Sequence, residues 1–373
     1  MVYVDEHPEY WNEYNNLQHV KHALLKRYLG GWFPILSTWH GRVVYVDCHA
    51  GRGEHARGQR GSPLIALEVL LGHRLLQRII AHTEVVLTFI ERDCANAAQL
   101  EGHLAEYALP SNVKAEVVCQ DFEQVITGLV DDLVERKLQM APAFIFVDPY
   151  GFKLSMGVLA RLNSFERCEL FVNFMWRYID MAIHHDAQEE NMDALFGSPE
   201  WRRTREIQDP AQRCDSAIRL FQQALGARYI TWVKMLGENQ AVKYVLIHAT
   251  NHRRGRELMK EAIWAVCCTG DFVARVADNP DQEFLIRPEP DLAPLEDWLS
   301  SKYRGHEIRY REIEDELIST IFLPKHLHSV LRRARKDGRI TLSAYEGRLA
   351  FDKNPMISYN PPPSRDRNRG RER

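Results

Sequence analysis

The feature that most restricts this chain's fold is an alternation of short apolar runs with stretches of helical spacing, sustained over residues 43–250. VVYVD (43–47), VVLTFIE (85–91), KAEVVC (114–119), AFIFVD (143–148) and ELFVNF (169–174) are rich in β-branched and aromatic residues, and turn-forming residues bound them. Between them lie the helix-patterned stretches SPLIALEVLLGHRLLQ from Ser62, the segment up to about 107, Phe122 to about Arg136, and 155–163. Ser62 is the expected N-cap of the first of these, with Pro63 at the first helical position. Strands and helices in alternation predict a parallel sheet with helices on both faces, a Rossmann-like α/β class.

A leading helix is predicted over 17–36, where Leu17, Val20, Leu24, Leu25, Tyr28 and Leu29 recur at helical spacing. After an insertion (176–212) come a helix (212–225), two strands (229–236 and 241–250) around the turn-forming GENQ, and an amphipathic helix (254–267). A terminal β-hairpin after five βα units is the arrangement of class I methyltransferases, and most dinucleotide dehydrogenases lack it. The prolines of PEPDLAP (288–294) break the pattern and divide a domain over 1–290 from a second over 291–356. The second reads as three helices and a hairpin in RITLSAYEGRLAF, a winged helix-turn-helix whose third helix starts at Pro324 and ends at Gly338. The Pro-led, Arg-rich remainder, 357–373, has nothing to bury and is expected to be disordered.

Charge adds a partner class. The chain is near neutral, net −3, so it does not advertise nucleic acid as a whole. Between Lys325 and Arg339, however, six basic residues (Lys325, Arg332, Arg333, Arg335, Lys336 and Arg339) face one acid, Asp337, which makes the third helix the expected phosphate-contacting surface. A protein-interaction or dimerisation role for the winged helix stays open. No apolar stretch is long enough to span a bilayer, and the acidic, aromatic start does not resemble a signal or transit peptide, so a cytoplasmic location is expected. Seven cysteines (48, 94, 119, 168, 214, 267 and 268) without a C-x-x-C pair are expected to be buried, reduced thiols, with no disulfide framework and no zinc site. The cluster His184-His185-Asp186 is read as surface, and no metal is expected.

Chemistry is expected where strands end. Asp47-Cys-His-Ala-Gly51-Arg-Gly53 follows the first strand, and its glycines let the backbone turn and approach a ligand at the carboxyl edge of the sheet. A carboxylate in that loop suits a sulfonium cofactor with an amino-acid moiety better than a pyrophosphate. Glu91 ends the second strand, where an acid accepts ribose hydroxyls. Asp121 and Phe122 end the third and are placed to meet an adenine amine and ring, or to serve as an ordinary helix cap. The fourth strand ends in Asp148-Pro149-Tyr150-Gly151. Methyltransferases of exocyclic amines carry a D/N-P-P-aromatic loop here, in which the acid and a proline carbonyl accept from the amine and the ring stacks on the base. That alignment is a proximity effect, and the cofactor, S-adenosylmethionine, carries the reactive group. The second proline is absent, which leaves either Tyr150 or Phe152 to meet the substrate.

KHALLKRYLGGW, YVDCHAGRGEH, GSPLIAL, FIERD, QDF, FVDPYG, FVNFMW, LFGSPEW and YVLIHAT, in this order over residues 15–355, resemble the three-Cys-motif partner family. The resemblance implies a class I methyltransferase fold with a C-terminal winged helix, and a partner protein whose three-cysteine motif suggests an iron–sulfur radical enzyme. The chain is more distantly similar to RlmJ-type methyltransferases, which act on an adenine amine in ribosomal RNA. That likeness implies that Asp47, His49, Gly51 and Gly53 form the cofactor loop, that Lys21, His22, Ser62 and Pro63 neighbour the cofactor, and that Asp148 is the catalytic acceptor. The family's D-P-P-Y differs from Asp148-Pro149-Tyr150 at the decisive loop. Methylation of a nucleic-acid base, DNA or RNA, is therefore the leading expectation. The alternatives are a non-catalytic nucleotide-binding adaptor that partners the three-Cys-motif enzyme and binds DNA, and an NAD-dependent dehydrogenase, which the missing third glycine and the hairpin disfavour.

Overall fold

The computed structural model describes residues 14–37, 41–267, 272–276, 289–344 and 350–359. Eight strands form one sheet: β1 (Gly41–Asp47), β2 (Thr83–Glu91), β3 (Val113–Cys119), β4 (Ala143–Val147), β5 (Cys168–Phe174), β6 (Tyr229–Leu236), β7 (Val242–Thr250) and β8 (Val273–Arg275). Their order is β3-β2-β1-β4-β5-β7-β6-β8, with β1 to β5 parallel and β7 antiparallel to both β5 and β6. Every residue of β4 and β5 is buried, as expected of central strands covered on both faces. The edge strand β3 exposes alternate positions and carries Lys114 and Glu116 on them, which discourages further pairing. The hairpin read from the sequence after five βα units is β6–β7, and β7 inserts between β5 and β6.

Strand order reverses between β1 and its two neighbours, β2 on one side and β4 on the other. A crevice therefore opens beyond the carboxyl ends of β1 and β4. Helix α1 (Asn16–Leu36) passes beside it. A capping box of Asn15 and Gln18 starts this helix, and Leu17, Val20, Leu24, Leu25, Leu29 and Phe33 bury its apolar stripe. Helices α2 (Ser62–Leu71), α3 (Leu76–Ile80), α4 (Cys94–Leu104), α5 (Phe122–Glu135) and α6 (Met156–Asn163) follow the strands in turn. Gly61, and not Ser62, is the N-cap of α2, which puts Ser62 at the first helical position. That frees the Ser62 hydroxyl to bond Asp47.

The insertion is itself helical: α7 (Trp176–Ile183) and α8 (Glu189–Phe196), with short 3-10 turns at Asp186–Gln188 and Pro199–Glu206. Trp201, wholly buried, anchors the second turn and donates its indole N–H to Asp193 at 2.7 Å. His184, His185 and Asp186 are exposed, and among the described residues no cluster of His, Cys, Asp or Glu could hold a metal. Helices α9 (Pro210–Leu225) and α10 (Arg253–Val266) complete this part. No described helix is long and apolar enough to cross a membrane.

The cysteine expectation needs one correction. Cys48, Cys168 and Cys214 are buried and free and Cys267 is buried, but Cys94 and Cys119 are joined by a disulfide, their Cα atoms 5.3 Å apart. A spacing of 25 residues hides what the sheet arranges. Cys119 pairs in register with Glu91, so the loop that starts α4 lies beside the end of β3.

A second compact unit begins at Pro288, three residues before the boundary read from the sequence. It holds α11 (Ala293–Tyr303), β9 (Glu307–Arg309), α12 (Tyr310–Leu317), α13 (Pro324–Lys336), β10 (Ile340–Ser343) and β11 (Met356–Tyr359), with a sheet of order β10-β11-β9. Among the described residues the partner of β10 is Met356–Tyr359, while 345–349 of the expected hairpin lie outside the described residues. Phe351 instead buries itself in a 3-10 turn, and Asn354, at φ 52°, reverses the chain ahead of β11. Residues 357–359, assigned from sequence to the tail, therefore belong to this sheet; 360–373 lie outside the described residues.

Candidate functional site

A cavity of about 880 Å³ opens at the reversal of strand order, near the upper end of the size range of small-molecule sites. Of the expected cofactor residues, Lys21, His22, His49, Gly51, Ser62, Glu91, Asp121 and Phe122 line it, as do Asp148, Pro149 and Tyr150. Asp47 and Gly53 do not. Asp47 is fully buried behind the loop, where it accepts the His49 amide N–H at 3.2 Å and the Tyr45 hydroxyl at 3.4 Å. Burial raises its carboxyl to about 7, against the opposing hydrogen bonds of Ser62 and His49. Asp47 thus braces the loop from beneath. Gly53, at φ 89°, accepts the Gly61 N–H at 2.7 Å, and an added Cβ would come within 2.8 Å of Leu100, so its role is close packing.

The loop's ligand-facing shape is set by Glu91. Its carboxylate takes the Gly51 N–H at 2.7 Å on one oxygen and the Asp93 N–H at 2.8 Å on the other. Gly51 sits at φ 62°, the left-handed conformation this turn requires. One strand-end acid therefore fixes the first and second loops together. Asp121 caps α5 by accepting from Glu123 and Gln124 at 3.0 and 3.3 Å, and it also lines the cavity. The His49 ring lies 4.6 Å from the Phe122 ring, and burial lowers its pKa to about 4, so it is neutral at physiological pH. Its Nδ1 is buried without a hydrogen-bond partner. His22 is likewise pushed well below its usual value, by burial first and then by the Lys21 charge.

At the end of β4 the carboxylate of Asp148 is held on both oxygens. Lys21 of α1 ion-pairs with Oδ2, and Asn173 of β5 donates its Nδ2–H to Oδ1 at 2.6 Å. Burial alone would raise this carboxyl, but the adjacent Lys21 ammonium and the two hydrogen bonds hold it below the ordinary aspartate value. Asp148 is an ion at neutral pH. The two aromatic candidates also separate. Tyr150 lines the cavity and is 51% exposed, whereas Phe152 packs against the hydrophobic core.

Several lining residues were not singled out from the sequence. Tyr178 of α7 lies 6.1 Å from Tyr150, ring to ring, at 47°. Lys153, Arg177 and Lys243 also line the cavity, and among the described residues no ion pair engages them. The rule that strand ends carry chemistry would have found Asn173, the penultimate residue of FVNF. The insertion had no readable pattern to point to Arg177 and Tyr178.

In the second unit, α13 buries His326, Leu327, Val330, Leu331 and Ala334 and exposes Lys325, Arg332, Arg333, Arg335 and Lys336. Lys325, Arg332 and Lys336, spaced i, i+7 and i+11, form one stripe opposite the buried face. Two of the six cations are engaged within the unit. Arg333 pairs with Glu296, and Arg339 reaches Glu296 at 3.2 Å and Asp337 at 3.1 Å. Among the described residues, the exposed cations of this helix outside those pairs are accordingly Lys325, Arg332, Arg335 and Lys336.

No family model matches the chain, and no curated protein matches it significantly. Solved structures similar in shape include a protein of Legionella pneumophila from a family of unknown function, at 14% identity and TM-score 0.38, covering 64% of this chain and 85% of that one. The cyclopropane synthase MmaA2 of Mycobacterium tuberculosis is 12% identical at TM-score 0.28, covering 66% and 68%. Human methyltransferase-like protein 13, solved with S-adenosylhomocysteine, is 12% identical at TM-score 0.29, covering 57% and 93%. Likenesses this low carry nothing about substrate or residue roles. What characterises the chain is its own sheet, five parallel strands closed by an antiparallel hairpin, with a polar cavity at the reversal of strand order.

Proposed function

We propose that this chain is an S-adenosylmethionine-dependent methyltransferase acting on the exocyclic amine of a nucleic-acid base, adenine being the leading candidate. The observation that carries the reading is the Lys21–Asp148–Asn173 cluster, on the same cavity wall system as the Glu91-pinned glycine loop. The donor set fits the cofactor: an acid at the second strand end for ribose hydroxyls, Phe122 for an adenine face, and the buried, unpartnered His49 Nδ1. When bound, S-adenosylmethionine supplies an activated methyl group. The chain's own residues hold the acceptor: Asp148 and the Pro149 backbone border the amine, and Tyr150 offers its half-exposed ring to the base. A paired base has to be flipped out or presented single-stranded to reach this depth.

Calorimetry with S-adenosylmethionine, S-adenosylhomocysteine and NAD tests the cofactor. The first two are expected to bind in the micromolar range and NAD not at all. Glu91→Ala removes the acceptor of two backbone N–H groups and is expected to weaken S-adenosylhomocysteine by about tenfold or more. Unchanged affinity would refute the ribose and loop assignment.

The second unit is read as a winged helix that positions nucleic acid, on the strength of its helix-strand-helix-helix-strand-strand order and the cationic stripe of α13. Replacing Lys325, Arg332 and Lys336 by Ala is expected to flatten the slope of log K against log salt by about two to three units for oligonucleotide binding. An unaltered slope moves this unit to protein interaction. The second functional reading is a non-catalytic adaptor for a three-Cys-motif radical enzyme. One observation favours it: both oxygens of Asp148 are already engaged. Cofactor binding without release of S-adenosylhomocysteine on any nucleic acid would select it.

A further inference from the structure

We infer that Asn173 receives an N–H of a primary amine through its Oδ1, so that the cavity selects amino over keto groups in its substrate; naming that amine as the methyl acceptor rests on the function proposed above. Asn173 stands one residue from the end of β5, is 4% exposed and lines the cavity beside Asp148. Its orientation is not arbitrary. A carboxylate only accepts hydrogen bonds, so the group 2.6 Å from Asp148 Oδ1 must be the amide NH2, and the amide oxygen is committed to the other side. That oxygen, Oδ1, is buried and has no hydrogen-bond partner.

An orphaned buried acceptor costs free energy until a donor reaches it, and a ligand entering the cavity is the available source. Asp148 is a poorer first partner, because Lys21 and Asn173 already take one bond on each of its oxygens. The chemistry is selective. An amine presents N–H to Oδ1, whereas a keto oxygen in the same place sets two acceptors against each other. Loss of one hydrogen bond that leaves a buried partner unpaired corresponds to discrimination of roughly tenfold.

The test uses the full chain saturated with S-adenosylhomocysteine, which keeps the cofactor's adenosine pocket filled. Short single-stranded oligothymidines, whose bases have no exocyclic amine, carry one central adenine, hypoxanthine, cytosine or uracil, and their binding is followed by fluorescence anisotropy. In the unaltered protein the amino member of at least one pair, adenine over hypoxanthine or cytosine over uracil, is expected to bind about tenfold more tightly than its keto counterpart. Asn173→Leu, similar in volume but without the acceptor, is expected to abolish that ratio while leaving S-adenosylhomocysteine affinity near that of the parent, and to melt earlier because Asp148 Oδ1 also loses its amide donor. Asn173→Leu that fails to fold is replaced by Asn173→Ser, which keeps a shorter acceptor and is expected to reduce the ratio. No amino preference in the unaltered chain, no binding of any strand, or a preference that survives loss of Asn173 overturns the inference. Amino preference without methyl transfer would instead sink the methyltransferase reading and leave the assignment of Asn173 standing.

Discussion

Asp148→Asn is expected to lower methyl transfer to single-stranded nucleic acid by about 10³-fold, roughly 4 kcal/mol of transition-state stabilisation, with S-adenosylhomocysteine affinity within a few-fold of the parent. The change keeps the side-chain shape and removes the charge that orients two neighbours. Lys21, 3% exposed, loses its counter-ion, and the one remaining amide oxygen can accept from Lys21 or from Asn173 but not from both as the carboxylate does. Breaking a buried pair from one side costs about 3–5 kcal/mol, so the single variant is also expected to melt earlier. Lys21→Met combined with Asp148→Asn separates the two effects. The double variant no longer buries an ammonium beside a neutral amide and is expected to recover much of the stability but none of the activity. Recovered activity would make the pair structural and Asp148 dispensable.

The sheet was legible because its signals are local. Continuous apolar runs such as AFIFV belong inside a sheet, and Asp47, Glu91 and Asp148 at the ends of three of the runs reach the cavity or brace it. The strand-end acids were legible for the same reason, though the sequence could not separate touching a ligand from supporting the loop that does. Asp47 and Glu91 have the same residue-type logic. Burial turned Asp47 inward, while Glu91 both pins Gly51 and faces the cavity. Lys243 was not singled out because its relevance depends on which strands become neighbours, and β7 reaches its place beside β5 through a long connection. The disulfide of Cys94 and Cys119 escaped for that reason too, since only the β2–β3 register brings the two together.

Glu169→Leu is expected to destabilise the first unit by about 3 kcal/mol or more, and the reason returns to α1. Glu169 is buried in β5 and accepts from the Tyr28 hydroxyl and, at 3.1 Å each, from Trp32 Nε1 and His248 Nε2. Leucine leaves all three polar groups buried without that partner. Burial alone would raise the Glu169 carboxyl, but its bonds to His248, Tyr28 and Trp32 hold it below the ordinary value. A depressed carboxyl contributes stability above its unfolded pKa, about 4.3, and loses that contribution as pH falls through the lower folded value. Glu169→Gln, which retains an acceptor oxygen but no charge, is therefore expected to trail the parent near pH 7 and to converge on it in acid, measured by urea unfolding across a pH series. A constant gap at all pH values would show that the charge contributes nothing. Lys21, Tyr28 and Trp32 are spaced i, i+7 and i+11, on one stripe of α1. The helix is thus fixed to the sheet at two polar points, Glu169 on β5 and Asp148 beyond β4. The first point does not line the cavity, but it sets the position from which Lys21 reaches the second. A folded Glu169→Gln protein that binds S-adenosylhomocysteine normally yet transfers methyl groups more slowly would be the signature of that arrangement.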